Sequence, residues 1–415
     1  MRKTIISCCF MALQVCVACS DSGSSSKGGQ AGAAGAGGDE TATHWVGTWA
    51  TGPQLTEPNN MPPEPGLADN TLRQVLRVSM GGEELRMEFS NEFGNGPVTM
   101  NAVHLANSAG EDAIEPDSDT QLTFDGEPSI TIPQGDVVVS DSVEFALEPL
   151  SNIAVTVHFG EVPSGVTGHP GSRTTSYLVA GDAVDEDSFD APVETEHWYY
   201  MTALDVMVPT TSKAVVVLGD SLTDGRGTTT DRNQRWTDVL AERLQANAAT
   251  EDVGVLNLGI GGNAVLSGGL GPTARQRFER DVLGQSGARW LIVLEGVNDI
   301  GYGNANTVAA DLIEAYEQFI EDAHAEDMLV YGVPILPFGN SQYDTPEHEE
   351  ARLAVNEWIR TSGAFDAVID LDEAVRDPEQ PERLAPQYTS TDRLHLSPAG
   401  YAAMAEAVDL SLFEE

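Results

Sequence analysis

Two short stretches of the chain hold the residue types needed for nucleophilic attack on a carbonyl. In Gly219-Asp220-Ser221-Leu222-Thr223-Asp224-Gly225 a serine follows an apolar run, with a glycine able to make the tight turn that carries it toward solvent. A serine hydroxyl is a poor nucleophile at neutral pH. It needs an imidazole placed to take its proton and a carboxylate to orient that imidazole. Asp392-Arg393-Leu394-His395 supplies both groups three residues apart on one tight turn. Attack also creates a negatively charged oxygen, which requires hydrogen-bond donors. Two more segments offer them. Asn257-Leu258-Gly259-Ile260-Gly261-Gly262-Asn263 has glycines that let a backbone N–H approach a ligand, and Gly296-Val297-Asn298-Asp299 has a side-chain amide. A Gly-Asp-Ser triplet alone would equally suit a loop serine capping a helix. Four such segments in one chain are harder to ascribe to coincidence.

The elements that must position these residues are legible in the hydrophobic period. Short apolar runs at 214–218, 253–258, 290–294, 329–333 and 367–371 read as buried strands. Between the third and fourth, Leu312, Ile313, Tyr316, Phe319, Ile320 and Ala323 recur at three- and four-residue spacing, which predicts an amphipathic helix. Strand–helix alternation predicts an α/β domain over 209–415: a doubly wound five-stranded parallel sheet with its chemistry at the carboxyl ends of the strands. Each of the four segments falls at such an end or on the last loop. Ser397-Pro398 then reads as N-cap and first-turn proline of a final helix that pins the Asp392/His395 loop.

Over 44–208 the period is two instead. Leu85, Met87 and Phe89 alternate with Arg86, Glu88 and Ser90; Val143, Phe145 and Leu147 alternate likewise, as do Ile153, Val155, Val157 and Phe159. Turn signals such as Gly81-Gly82 and Gly94-Asn95-Gly96 separate them, which predicts an all-β sandwich or jelly roll ahead of the α/β domain. Trp45, Trp49 and Trp198 read as core or domain-interface residues rather than sugar platforms.

The four segments resemble, in order and in their place at strand ends, the successive blocks of the SGNH (GDSL) hydrolases, over about residues 214–412. The resemblance implies a serine esterase with Ser221 as nucleophile, His395 as general base and Asp392 as its orienting carboxylate. It also implies an oxyanion hole made by the N–H of Ser221, the N–H of Gly262 and the side chain of Asn298. Asp220, Asn263 and Asp299 are implied to support these groups from behind. Gly262 is chosen over Gly261 because the family's glycine follows a small residue and precedes a polar one, and the double glycine leaves that register open. The opening Trp45-Val46-Gly47-Thr48-Trp49 and the β-rich half are similar to two-domain bacterial GDSL-type lipases and esterases. A jelly roll joined to such a domain is also similar to certain carbohydrate deacetylases, which makes short acyl or acetyl esters, carbohydrate esters among them, the implied substrates, with no cofactor. Thr223 breaks the Gly-x-Ser-x-Gly elbow and argues against the α/β-hydrolase fold. An O-acyltransferase with the same triad, or a carbohydrate-binding surface lipoprotein, are the alternatives; the intact Ser221, Asp392 and His395 count against the second.

Sixty-five acidic against 21 basic residues leave a formal charge of −44, which repels nucleic acid and anionic lipid surfaces. That acidity fits either a saline habitat, where salt screens the self-repulsion, or a merely solvated surface. Arg2 and Lys3 followed by an apolar run over 4–18, too short to span a bilayer comfortably, read as an export signal over 1–19. Ala18-Cys19 resembles a lipobox, with Cys16 where leucine is usual. This implies cleavage before Cys19 and a lipid anchor on its thiol in a bacterial cell envelope, the sole membrane contact expected, simple secretion being the alternative. Residues 20–43 read as a flexible Gly/Ser/Ala linker. All four cysteines, Cys8, Cys9, Cys16 and Cys19, lie in the signal, so no disulfide framework is expected. No His-Glu-x-x-His, paired-cysteine or complete EF-hand segment supports a metal, and no glycine loop supports a nucleotide. His44, His104, His158, His169, His197, His324 and His348 read as isolated surface or packing residues, any of which from the β-rich half could line the rim of the site.

Overall fold

The apolar runs beyond residue 212 pair side by side in the computed structural model, which describes residues 42–414; the export signal, Cys19 and nearly all of the linker lie outside the described residues. Val253–Gly259, Lys213–Gly219, Ala288–Leu294, Leu329–Gly332 and Ala367–Val368 form, in that order, one all-parallel sheet. The strand first in sequence therefore lies second in space, between the second and third. Neighbouring connections leave in opposite directions at that point, and a crevice opens beyond the strands' carboxyl ends. Ser221 and Asn298 both stand there, just past Gly219 and Leu294. The fifth strand is shorter than its apolar run because Asp370 accepts the Glu373 N–H and starts the helix Leu371–Val375. The helix Val308–Ala325 buries Leu312, Tyr316, Phe319, Ile320 and Ala323 along one face, as their spacing predicts.

The first half is antiparallel. One sheet runs Thr43–Ala50, Met201–Pro209, Gly82–Ser90, Val143–Leu147; a larger one is built on Asn70–Arg77, Asn152–Phe159 and Val98–Gly110. Leu85, Met87 and Phe89 are fully buried while Arg86 and Glu88 on the opposite face are not. Asn152–Phe159 departs from the alternation, for Ala154 and Thr156 are buried as well. Its second face is covered because the buried Arg73 donates to Thr156 Oγ1 at 2.8 Å and to the carbonyls of Asp112 and Glu186, drawing those loops over the sheet. Trp49 and Trp198 meet edge to face at 5.0 Å inside the core, and Trp45 lies under the Arg86 guanidinium at 4.5 Å, so all three serve packing.

The halves join closely, and residues 41–415 form one compact unit with a shared core. Gly47 donates to the Ser286 carbonyl at 2.9 Å, and Ser79 Oγ accepts the Val255 N–H at 2.9 Å. A Cβ on Gly254 would stand 2.4 Å from the Gly47 carbonyl oxygen, so this approach of strand to sheet requires glycine.

Candidate active site

Ser221 is held by a tight local design. Asp220 accepts the Leu222 N–H at 2.8 Å and caps the single helical turn Ser221–Asp224. A Cβ on Gly219 would fall 2.1 Å from Thr223 Oγ1, so only glycine lets the strand turn into that helix. On the partner loop the chain passes through Arg393 in the left-handed region (φ 62°), which folds Asp392 and His395 onto one side. Asp392 Oδ1 accepts the backbone N–H groups of Leu394 and His395, both at 3.0 Å, and the Ser390 hydroxyl at 2.7 Å. Ser397 caps the helix Pro398–Glu406 by accepting from Gly400, and that helix's Tyr401 hydroxyl donates to the Arg226 carbonyl at 2.7 Å, tying the two loops together.

The outcome is a continuous chain of contacts. Asp392 Oδ2 lies 2.7 Å from His395 Nδ1, and His395 Nε2 lies 2.7 Å from Ser221 Oγ. Ser221 and His395 are buried, whereas the Asp392 side chain is 44% exposed. Burial depresses the His395 imidazole below its ordinary value; Asp392 opposes this, while Arg226 and Arg173 push further down. Burial alone would raise Asp392, but hydrogen bonds from the His395 N–H and ring, Ser390 and Leu394 hold it well below the carboxylate range. At neutral pH the ring is therefore uncharged, its Nδ1–H directed at an ionised carboxylate and its Nε2 open to the serine proton.

The groups named as oxyanion donors converge on the same place. Ser221, Gly262 and Asn298 line one cavity with His395 and Asp392, and the N–H groups of Ser221 and Gly262 have no partner among the described residues. Gly262 takes φ +72°, which a side chain would disfavour. Gly261 lines the cavity too, so the geometry keeps both glycines in reach. Asn298 Nδ2 donates to the Asn263 carbonyl at 2.8 Å, and the Tyr343 hydroxyl donates to Asn298 Oδ1 at 2.9 Å, which fixes the amide and leaves it one N–H. Asp299 accepts the Val265 and Leu266 N–H groups, both at 2.8 Å, and Asn263 Nδ2 donates to the carbonyls of Leu270 and Pro272. Asp220, Asn263 and Asp299 thus hold backbone rather than face the cavity.

Sequence reasoning missed Arg277. It is fully buried behind the site, and its five N–H donors are all engaged: Nε to Asn263 Oδ1 at 3.1 Å, one terminal nitrogen to the Leu258 carbonyl and Asp281, the other to the Gly219 carbonyl and Glu295. One guanidinium thereby ties the ends of the first two parallel strands to the residue that follows the third. Its neighbours are unusual acids. Burial drives the Glu295 carboxyl well above the carboxylate range, with Asp220 adding to it, and burial raises Asp220 to about 7. Glu295 Oε2 has no hydrogen-bond partner among the described residues, as a protonated carboxyl can tolerate more readily than an ionised one. The i, i+4 spacing of Arg277 and Asp281 was the one available signal, and it fits any exposed helix pair equally well.

The histidines are not isolated, which corrects the sequence reading. His169 Nε2 lies 3.0 Å from Asp224 Oδ1 and its Nδ1 2.9 Å from the Gly52 carbonyl, while Arg173 reaches Asp224 Oδ2 at 2.8 Å. Asp224 belongs to the serine segment, so the β-rich half grips the helical turn that bears Ser221. His104 pairs with Asp119 at 2.9 Å and His324 with Asp366 at 2.8 Å. Among the described residues, one group that could hold a cation, His104 with Asp119 and Asp185, lies on the antiparallel half and shares no residue with the cavity.

The cavity itself measures about 720 Å³. Gln54, Glu57, Asn60 and Arg173 of the β-rich half line it together with Tyr302 and Tyr343 of the parallel-sheet half. The first half thus supplies part of the wall of the candidate pocket, which its period-two pattern could not reveal.

Residues 217–403 match the GDSL-like lipase/acylhydrolase family. No curated protein matches the chain. Among solved structures, the chain is similar to a GDSL-like lipase from Bacteroides thetaiotaomicron at 19% identity, over 48% of this chain and 87% of that one, with a TM-score of 0.35. A carbohydrate acetylesterase from Sinorhizobium meliloti aligns at 14% identity over 47% of this chain and 96% of that one, TM-score 0.37. A catalytic mutant of an acetylxylan esterase from Geobacillus stearothermophilus aligns at 20% identity over 47% and 91%, TM-score 0.36.

Proposed function

Residues 217–403 are a GDSL-like lipase/acylhydrolase domain, and from that premise we propose that the chain hydrolyses carboxylic esters of short acyl groups through an acyl-enzyme on Ser221. The observation that carries this reading is the unbroken Asp392–His395–Ser221 contact chain, 2.7 Å at both links, opening into a cavity lined by unspent donors. Ser221 Oγ attacks the ester carbonyl as His395 Nε2 takes its proton, and Asp392 stabilises the imidazolium that forms. The carbonyl oxygen, now negative, is received by the N–H of Ser221, that of Gly262 and the free amide N–H of Asn298. Collapse returns the proton from His395 to the departing alcohol oxygen and leaves the acyl group on Ser221. Water then attacks the acyl carbonyl as His395 takes its proton, and collapse breaks the bond to Ser221 Oγ, which receives that proton as the acid departs. No step calls for a cofactor.

The acyl group is short in this reading because amide, carboxylate and guanidinium residues interrupt the apolar part of the lining around Ser221, and a long chain would desolvate them. Carbohydrate esters are the favoured substrates, since amides and carboxylates at the rim suit hydroxyl-rich leaving groups. Export and anchoring at Cys19 remain part of the proposal and rest on the residue pattern of 1–19 alone. The test is rapid quenching during turnover of p-nitrophenyl acetate, followed by peptide mass analysis. An acetyl group on the Ser221 peptide is expected; full turnover with an unmodified Ser221 would overturn the mechanism.

A further inference from the structure

A second cavity of about 570 Å³ adjoins the first, and the two share Gly269, Asn298 and Tyr302 as their common wall. Each alone falls within the roughly 300–1,000 Å³ that holds a drug-sized ligand, so together they exceed what a short ester or a single sugar requires. Tyr302 forms the ridge between them. It is 71% exposed, the most exposed large apolar side chain among the described residues, and Leu270 on the first cavity is 51% exposed. Packing does not account for leaving such a ring in water. It is nonetheless braced, because its edge meets Tyr343 at 5.0 Å with an interplanar angle of 76°, and Tyr343 is itself anchored by its bond to Asn298. A rigid aromatic face presented to solvent between two polar compartments suits a ligand with one apolar and one polar side.

The second compartment's lining narrows the chemistry. Beyond Tyr302 it offers Arg275, Asn304, Thr307, Asp311 and Glu314 alongside Ala264, Leu266 and Val308, so that polar and apolar surface are about equally represented. Arg275 lines this cavity together with Asp299, whose carboxyl feels its charge, so the compartment presents a guanidinium beside carboxylates. Planar guanidinium, amide and carboxylate groups bind vicinal hydroxyls in pairs, while the tyrosine ring covers the C–H face of a pyranose. Charged and amide groups interleaved with the apolar ones suit a ligand with both kinds of surface better than a long acyl chain, and two carboxylates in a protein of charge −44 disfavour an anionic polymer.

We propose that this second cavity is a sugar-binding subsite and that the substrate is an acylated neutral oligosaccharide, several sugar units long, lying across Tyr302 with its ester at Ser221. The inference rests on the ester-hydrolase reading. One sugar carries the acyl group into the first cavity, and its neighbour stacks on Tyr302 and meets Arg275, Asp311 and Glu314 beyond. Length of substrate then improves binding without altering the reacting atoms, so it acts on KM rather than kcat.

The experiment compares the full chain on p-nitrophenyl acetate, acetylated xylose and acetylated xylotetraose, and reads the tetramer-to-monomer ratio of kcat/KM within each variant, so that any general loss of activity cancels. In the wild type the tetramer is expected to exceed the monomer about tenfold, through KM, the size of effect an aromatic contact gives. Tyr302→Ala should bring the ratio near one and Tyr302→Phe should retain it; Asp311→Asn with Glu314→Gln should lower it in part. A wild type that turns over p-nitrophenyl acetate yet shows a ratio near one overturns the subsite, as does a Tyr302→Ala ratio equal to that of the wild type. A preference for acetylated oligogalacturonate over the neutral tetramer overturns the assignment of a neutral glycan. Failure on every ester would instead strike the underlying esterase reading.

Discussion

His395 and His169 are built alike and differ in one neighbour. Both rings are buried, and each places one nitrogen within hydrogen-bond distance of an aspartate, at 2.7 Å from Asp392 and at 3.0 Å from Asp224. The other nitrogen decides what the pair can do. In His395 it faces the Ser221 hydroxyl, a donor that becomes a nucleophile when it yields its proton. In His169 it faces the Gly52 carbonyl, which has no proton to give, so the pair can only clamp. His104 repeats the arrangement a third time, between Asp119 and the more distant Asp185 at 4.0 Å, and has no serine either. A carboxylate–imidazole pair is therefore common scaffolding here, and its third partner confers the chemistry.

The comparison can be broken most directly at its chemical end. Ser221→Ala and His395→Ala should each lower kcat on p-nitrophenyl acetate by about ten-thousandfold or more, in steady-state assays with folding checked by circular dichroism. Asp392→Asn should cost less than the about ten-thousandfold loss known for a buried triad carboxylate, because the Asp392 side chain is 44% exposed and water can partly replace it. Equal losses for Asp392→Asn and His395→Ala would show that exposure does not weaken this link.

Asn298→Ala should reduce kcat by about a hundred- to a thousandfold while KM changes little, since its free amide N–H acts on charge that develops only in the transition state. Progress curves over a range of ester concentrations separate the two constants.

At the clamp the expected losses change character. His169→Ala should leave kcat within about tenfold of the wild type but lower stability by about 3 kcal/mol in urea unfolding, because the buried Asp224 then keeps Arg173 alone. Loss of activity on the His395→Ala scale, with stability intact, would mean that His169 takes part in the reaction and that the distinction between the two pairs is wrong.

The smallest effect concerns pH. In the proposed mechanism His395 acts unprotonated, and its folded value is depressed, so rate should persist as pH falls past the ordinary imidazole value of about 6.5 and decline only below it. Arg226→Gln removes one of the charges that depress it and should move this decline upward by a fraction of a unit in a kcat/KM profile. A decline centred at pH 7 or higher in the wild type would contradict the effect of burial on this ring.

Much of this was legible before any coordinates, for reasons that individual residues make plain. The parallel strands announced themselves because a strand covered on both faces is apolar at every position, as in Val215, Val216, Val217 and Leu218. Asp392 and His395 were readable as a pair because three residues on one turn cannot be far apart, and Ser397-Pro398 marked the helix that holds them. The register between Gly261 and Gly262 stayed open because both glycines face the cavity. The burial of Ala154 and Thr156 is not legible in the alternation of Ile153, Val155, Val157 and Phe159, because nothing in their own strand foretells that Arg73 will carry other loops over them. Calling the histidines isolated failed for the same reason: the partners of His104 and His169 lie 15 and 55 residues away.

The residue pattern was enough for the kind of fold and for naming the groups proposed to react, because period, turns and short-range spacing act through the backbone over a few residues. Only the tertiary structure decided that His395 meets a serine 174 residues away, that Arg277 binds the strand ends into one frame, and that Gln54, Glu57, Asn60 and Arg173 of the β-rich half wall the pocket. Those contacts depend on how two layers pack and where side chains point when they do, and no pattern confined to one segment encodes the position of another.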